Sequence, residues 1–157
     1  LADNSTPMLM VCGLYQLFGK SFTMANGDTL EGIGLFDATT IAKKERLIGN
    51  IITNSQDFGD IIGYENHSGQ TYLAEKVESL GIVRLGAGNN IEDGHEGARY
   101  KNVIGTYMHG SLLPKNPRIA DFLIEQAAVN RYGSFTAGPI DDSFANAACE
   151  AASKRPR

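Results

Sequence analysis

Two residues of reactive type each close a short apolar run in this 157-residue chain: Cys12 after MLMV, and His109 after NVIGTYM. Each is followed by a glycine, Gly13 and Gly110. A thiolate attacks a carbonyl carbon and an imidazole moves the protons, so such a pair is the minimum equipment for acyl transfer. Ending a buried strand with a nucleophile on a tight turn lifts its side chain to the carboxyl edge of a sheet. Gly13 supplies the small neighbour such a turn needs. A helix from Leu14 onward would point its N-terminus at the sulfur and favour the thiolate. Read locally, Cys12 fits a small buried hydrophobe better than a nucleophile. His109, at the end of its own strand, brings the two readings level, because an open α/β sheet gathers its reacting groups there. Of the other histidines, His67 in YENHSGQT reads as hydrogen-bonded structure and His95 in DGHEG as solvent-facing. Cys149 reads as a thiol without a catalytic role.

The elements that must position this pair follow from patterning. Met8 to Cys12 suits a buried parallel strand. Arg46 to Asn54, Asp60 to Glu65, Gly81 to Leu85 and Asn102 to Tyr107 read as further strands. Glu31 to Asp37 mixes glycine with apolar residues, as loop and short strand, and Gly86 to Gly97 reads as a polar, glycine-rich loop or hairpin tip. Pro117 to Tyr132 is the clearest helix, with proline in its first turn, Ile119, Phe122, Leu123 and Ala127 at helical spacing, and Gly133 as its stop. A second helix fits Asp141 to Lys154, with Asp141 or Asp142 at its start. No repeat or low-complexity linker divides the chain, so a single domain over residues 1–157 is expected, of α/β class. A buried strand so near the first residue needs neighbours on both sides, so the chain is expected to begin inside a domain.

Composition narrows the function. With 14 basic and 18 acidic residues the net charge is −4, so no global basic field attracts nucleic acid. No apolar segment approaches the length of a membrane span, and LADNSTP lacks the regions of a signal peptide. Two cysteines imply no disulfide framework and fit a reducing cytoplasm. They also exclude a thiolate zinc site built from this chain alone.

MVCGLYQLFG and NVIGTYMHG resemble the nucleophile and base motifs of class I, triad-type glutamine amidotransferases, whose fold is a flavodoxin-like sheet flanked by helices. LEGIGLFDATT, RLIGN, FGDIIGYENHSGQTYL and GNNIEDGHEGARYKNVIGTYMHGSLLPKNPRIADFLI carry the likeness further. They closely resemble the GatD family, the glutaminase subunits of lipid II isoglutaminyl synthase, relatives of the cobyric acid synthase amidotransferases. The resemblance covers roughly residues 8 to 130, and YENHSGQT with YMHGSLLPKNP is its most specific part. It implies that Cys12 attacks the side-chain amide of L-glutamine, that His109 is its base and acid, and that the Gly13 N–H is one oxyanion donor. It implies that Arg46 holds the substrate carboxylate, against the plainer reading of a surface ion pair with Glu45 or Asp60. Glu65, Asn66, His67 and Gln70 would belong to a signature loop that shapes the site or the partner interface. The implied partner is a MurT-type, Mur-ligase-like subunit, which would carry ATP and Mg while this chain carries no cofactor. The complex would amidate the D-glutamate of lipid II to D-isoglutamine in peptidoglycan synthesis.

The sequence departs from the family pattern in three places. Ser111 stands where the superfamily has a carboxylate two positions after the histidine; in the GatD group that carboxylate is supplied by the partner, which predicts weak activity for the chain alone. The strands and glycine-rich loop that precede the nucleophile strand in the family, and the second oxyanion donor on that loop, are not in these residues. The chain therefore reads as the C-terminal portion of the family domain, with an impaired glutaminase if nothing precedes it. Leu14 replaces a second glycine and crowds the turn. Two alternatives stay open: a cobyrinate-type amidotransferase domain, and a truncated subunit that binds its partner without turnover.

Overall fold

The computed structural model describes residues 1–156. A short 3-10 turn, Ala2–Asn4, leads into β1 (Met8–Val11), α1 (Gly13–Leu17), β2 (Ser21–Thr23) and β3 (Thr29–Glu31). Two long strands follow, β4 (Ala38–Ser55) and β5 (Gly59–Leu73), then β6 (Gly81–Leu85), β7 (His95–Glu96), β8 (Ala98–Tyr100), β9 (Val103–Thr106) and β10 (Met108–His109). The chain closes with α2 (Leu112–Lys115), α3 (Pro117–Tyr132) and α4 (Ser143–Ser153).

The strands form two sheets. In the smaller, β9 lies between β1 and β8, running parallel to β1, with Met8 opposite Val103 and Val11 opposite Thr106. In the larger, the order is β10-β5-β4-β2-β3, with β6 also pairing with β4 and β7 with β6. The α/β class holds. Outside the β1–β9 and β2–β4 pairs, however, the described ladders are antiparallel.

The β4–β5 hairpin is much longer than the sequence pattern suggests. Its register runs from Ser55 opposite Gly59 to Ala38 opposite Leu73. The expected strand ends at Asn54 and Glu65 therefore meet only part of it, and Glu65, Asn66, His67 and Gln70 lie within β5 rather than in a loop. The cause is burial: Glu65, His67, Gly69, Gln70 and Thr71 are buried, so the polar run is a strand that turns polar groups inward, most of them to hydrogen-bond partners, which hydropathy reads as loop.

β9 explains why NVIGTY reads as continuously apolar. Val103 packs with Met10, Tyr15, Phe36 and Tyr107, whereas Ile104 packs with Ile51, Ile61, Met108 and Ile119. The strand thus separates two cores and is buried on both faces. β1, expected to be buried, pairs only with β9 among the described residues, and only its Met10 is buried. The long helix α3 keeps its expected bounds and ends at Gly133, whose φ of 84° lies in the left-handed region. The last helix is shorter than expected, and the Asp141 carboxylate accepts the Ser143 N–H at its start. No helix among the described residues is long and apolar enough to cross a membrane.

Gly105 of β9 leaves no room for a side chain against Tyr15 and Phe36. A Cβ there would stand 2.3 Å from the Tyr15 ring. Gly105→Ala is expected to destabilise the chain by about 1–3 kcal/mol through overpacking, measured by denaturant unfolding; an unchanged midpoint would show that Tyr15 is free to move.

Candidate active site

Cys12 sits where β1 turns into α1, with φ 54° and ψ −106°. Non-glycine residues avoid that region, which costs about 1–3 kcal/mol and persists only where the surroundings over-determine it. Here they do. The Cys12 N–H donates to the Thr106 carbonyl at 2.9 Å, extending the β1–β9 ladder by one bond, and the Cys12 carbonyl accepts the Gln16 N–H at 3.0 Å, opening α1. Both bonds close only if the chain reverses at Cys12, which puts its thiol above the end of the strand. Leu14 does not crowd the turn, because its side chain is half exposed on the outer face of α1.

His109 arrives from the same carboxyl end of β9, three residues beyond Thr106. Tyr107 carries the chain out of the small sheet, and β10 joins the large one by pairing Met108 with Glu65 and His109 with Tyr64. Met108 fits there because position 63 is glycine; a Cβ on Gly63 would stand 2.7 Å from the Met108 side chain. The His109 Nε2 is enclosed and has no hydrogen-bond partner among the described residues. Ser111 is exposed, in a left-handed conformation at the start of α2.

Arg46 reaches the same place through a bulge. The β4–β5 register breaks between Ala42, opposite Gly69, and Leu47, opposite His67, so residues 43–46 face one residue of β5. Bulges of this kind re-aim side chains beside active sites. Arg46 Nε donates to Asn66 Oδ1 at 2.7 Å. Asp60, one of its two suggested ion-pair partners, instead binds Arg84 at 2.6 Å, and Arg46 makes no ion pair among the described residues. Its guanidinium charge acts on Cys12, His109 and His67 alike. Arg46, on β4, thus lies close enough for its charge to be felt both by Cys12, at the end of β1, and by His109, on β10, while the Gly13 N–H of α1 is directed at Cys12.

The electrostatics put the resting proton on sulfur. Burial pushes the Cys12 thiol above its usual range, against the opposing effects of the Gly13 N–H and Arg46. The N–H of Gly13 at the start of α1 does favour the thiolate, as a helix N-terminus should, but burial outweighs it. Burial, with help from Arg46, pushes His109 below the ordinary histidine range. Near neutral pH Cys12 is therefore a thiol and His109 a neutral imidazole, the form of histidine that can accept a proton. Beside Gly13 opens a cleft of about 290 Å³, whose walls include Gln16, Phe22, Leu30 and Glu31.

Beneath the pair lies a buried polar layer that sequence patterning did not single out. The Glu65 carboxylate accepts the Ala87 and Gly88 N–H groups, both at 2.9 Å. The Tyr107 ring stacks on His67 at 3.6 Å between centroids, and its hydroxyl meets Gln16 and Thr71 at 3.1 and 2.6 Å. Burial pushes His67 down to about 4 and Tyr107 up to about 12, so both are neutral. The role expected for His67, structural and hydrogen-bonded, agrees with its Nδ1 donating to the Gly69 carbonyl at 2.7 Å. His95 is partly exposed, beside Asp93. Cys149 lies at the other side of the molecule's core, with Asp60 and Lys115 around a small cavity. Glu96, inside the Gly86–Gly97 stretch that reads as a polar loop, is fully buried.

Residues 1–117 match the CobB/CobQ-like glutamine amidotransferase domain. The chain belongs to that family. A relative from Staphylococcus aureus (strain N315), named lipid II isoglutaminyl synthase (glutamine-hydrolyzing) subunit GatD, is 44% identical over 140 residues, 89% of this chain and 57% of that protein. The subunit of the same name from Streptococcus pneumoniae (strain ATCC BAA-255 / R6) is 39% identical over 133 residues, 83% of this chain and 51% of that protein. The chain thus spans about half the length of these two amidotransferase relatives. A cobyric acid synthase from Listeria innocua serovar 6a is 34% identical over 116 residues, 69% of this chain and 22% of that protein. A solved structure described as a glutamine amidotransferase superposes with a TM-score of 0.54 at 19% identity, over 78% of this chain and 61% of its own, and shares the fold.

Two outcomes check this geometry. Cys12→Gly, which relieves the left-handed strain, is expected to be more stable than Cys12→Ala by about 1 kcal/mol after glycine's entropic cost; equal stabilities would mean the turn is unstrained. Alkylation of Cys12 by iodoacetamide, followed by peptide mapping across pH, is expected to keep rising past pH 9.0 because the thiolate is the reactive form. A plateau near neutrality would contradict the resting thiol.

Proposed function

We propose that this chain is the glutaminase part of a two-subunit amidotransferase that amidates lipid II. The observation that carries it is the strained Cys12 turn, with one arginine charge acting on both Cys12 and His109. Family membership and the two GatD-named relatives support the substrate class.

In this reading glutamine is held by its α-carboxylate on Arg46, whose planar fork suits a two-oxygen partner. His109 takes the thiol proton as Cys12 Sγ adds to the side-chain amide carbon, giving a tetrahedral oxyanion that the Gly13 N–H receives. The protonated imidazole passes its proton to the departing nitrogen, ammonia leaves, and a glutamyl thioester remains. His109 then deprotonates a water that adds to the thioester carbon, and collapse releases glutamate and the Cys12 thiol.

The second subunit is of the MurT, Mur-ligase-like type and binds ATP and Mg. It supplies the carboxylate that orients His109, since position 111 is serine. The ammonia passes to it along a path shielded from water, where protonation would remove its nucleophilicity. The reaction is cytoplasmic, where two unpaired cysteines are stable.

Glutamate release from glutamine, measured with and without the ligase partner, tests this. Partner-dependent hydrolysis is expected, falling by on the order of 10³-fold or more in Cys12→Ala and by roughly 10²–10⁴-fold in His109→Ala. Arg46→Ala should raise KM about 10- to 100-fold, the loss of a charge-assisted hydrogen-bonded pair. Hydrolysis that survives Cys12→Ala, or absence of hydrolysis under both conditions, would overturn the proposal.

A further inference from the structure

Glu96 is buried completely, on the two-residue strand β7, and its carboxylate does not touch solvent. One oxygen, Oε1, accepts two hydrogen bonds: from the Thr106 hydroxyl at 2.9 Å and from the Tyr107 N–H at 2.6 Å. The same Thr106 hydroxyl accepts the Met108 N–H at 3.0 Å, and the Thr106 carbonyl accepts the Cys12 N–H at 2.9 Å. A single buried oxygen therefore grips the three-residue crossing from β9 to β10. That crossing sets the place of Cys12 on one side, through the Thr106 carbonyl. On the other side it sets His109, through Met108.

The crossing needs such a grip. Between Thr106 and Met108 the chain leaves the small sheet and enters the large one, and here the Tyr107 and Met108 N–H groups donate to side chains, Glu96 and Thr106, rather than to backbone carbonyls. Unpaired, each would cost about 1–3 kcal/mol in a buried site. Glu96 and Thr106 satisfy both, and in doing so fix the angle between the two strands.

A buried carboxyl is a costly choice for this task. Its second oxygen, Oε2, is buried without a hydrogen-bond partner among the described residues. Around it stand Glu65 from β5, Tyr15 from α1 and Tyr107 from the crossing itself. Burial, with the Glu65 charge as a further contribution, raises the Glu96 carboxyl to about 7, while the bonds from Tyr107 and Thr106 pull it down. A group that only filled space would be apolar here, because a half-satisfied buried carboxyl is worse than a packed side chain.

We propose that Glu96 is a positioning residue that holds Cys12 and His109 at reacting separation by clamping the Thr106–Met108 crossing. This rests on the glutaminase reading above and adds to it a residue that touches neither substrate nor the reacting atoms. Misplacing a reacting pair by about 1 Å lowers rate on the order of 100-fold while leaving ground-state binding alone. The Arg46 contact is carried by β4 and is independent of Glu96.

The test uses the chain assembled with its ammonia-using subunit. It compares Glu96→Ala and Glu96→Gln for kcat, KM and thermal midpoint, with active sites counted by a glutamine-analogue electrophile. Glu96→Ala is expected to lower kcat per labelled site on the order of 10- to 100-fold, with KM within about twofold. Glu96→Gln keeps an Oε1 acceptor and should restore kcat to within about threefold. Thr106→Val, which removes the link to the Met108 N–H, should lower kcat likewise, and Thr106→Ser should restore it; this pair decides the matter if Glu96→Ala does not fold. Normal kcat in Glu96→Ala and Thr106→Val, or a loss that Gln and Ser do not rescue, would overturn the proposal. So would a loss wholly explained by fewer labelled sites. Cys12→Ala run in parallel separates the two claims: if it is inactive while Glu96→Ala is normal, only the positioning role fails, and if it retains hydrolysis the glutaminase reading fails.

Discussion

One hydrogen bond, from the Cys12 N–H to the Thr106 carbonyl, is the constraint on which the site depends. It is the last rung of the parallel β1–β9 ladder, and it fixes where β1 must stop. Beyond it the chain begins α1 with Gly13, and the only way to do both is the left-handed turn at Cys12. The strain is held by the ladder on one side and by the Gln16–Cys12 helical bond on the other. β9 can bear this because both of its faces are buried, one against each core. A strand packed on one side only would yield more readily to the same strain.

The second dependence is electrostatic. The site combines burial, which favours neutral forms, with one arginine charge, which favours a thiolate and a neutral imidazole. Burial prevails at Cys12, whose thiol is raised. The proton therefore sits on sulfur until substrate and base are aligned. The His109 Nε2 is likewise enclosed, without a hydrogen-bond partner among the described residues. The β4 bulge that delivers Arg46 belongs to the same design, because an unbroken ladder would continue the alternation of β4 and carry the side chain elsewhere.

Much of the scaffold was legible in the sequence where the physics is local. The α3 helix, with proline at its first turn and Gly133 beyond its end, was readable to the residue, as was β6. Cys12 and His109 were legible as strand-end residues, although only the family resemblance separated nucleophile from core thiol. What could not be read depends on burial. The run from Glu65 to Gln70 is polar and reads as a loop, yet it lies in a strand whose inward residues find partners such as the Ala87 and Gly88 amides. Glu96, flanked by His95 and Gly97, carries every sign of a solvated residue. Its role arises because the chain changes sheets eleven residues later, a contact between distant segments that no period encodes. The strand β1 erred the other way: its composition suggested burial on both sides, and the structure gives it one strand neighbour among the described residues.

The central claim is that Cys12, and not Cys149 or a bound water, is the atom that attacks glutamine. Acid-quenched mass spectrometry during turnover, with the ligase partner present, tests it most directly. The account predicts a transient adduct of one glutamyl group, mapped to the Cys12 peptide and accumulating when thioester hydrolysis is slowed. Steady glutamate release with no adduct, or an adduct on the Cys149 peptide, would contradict it.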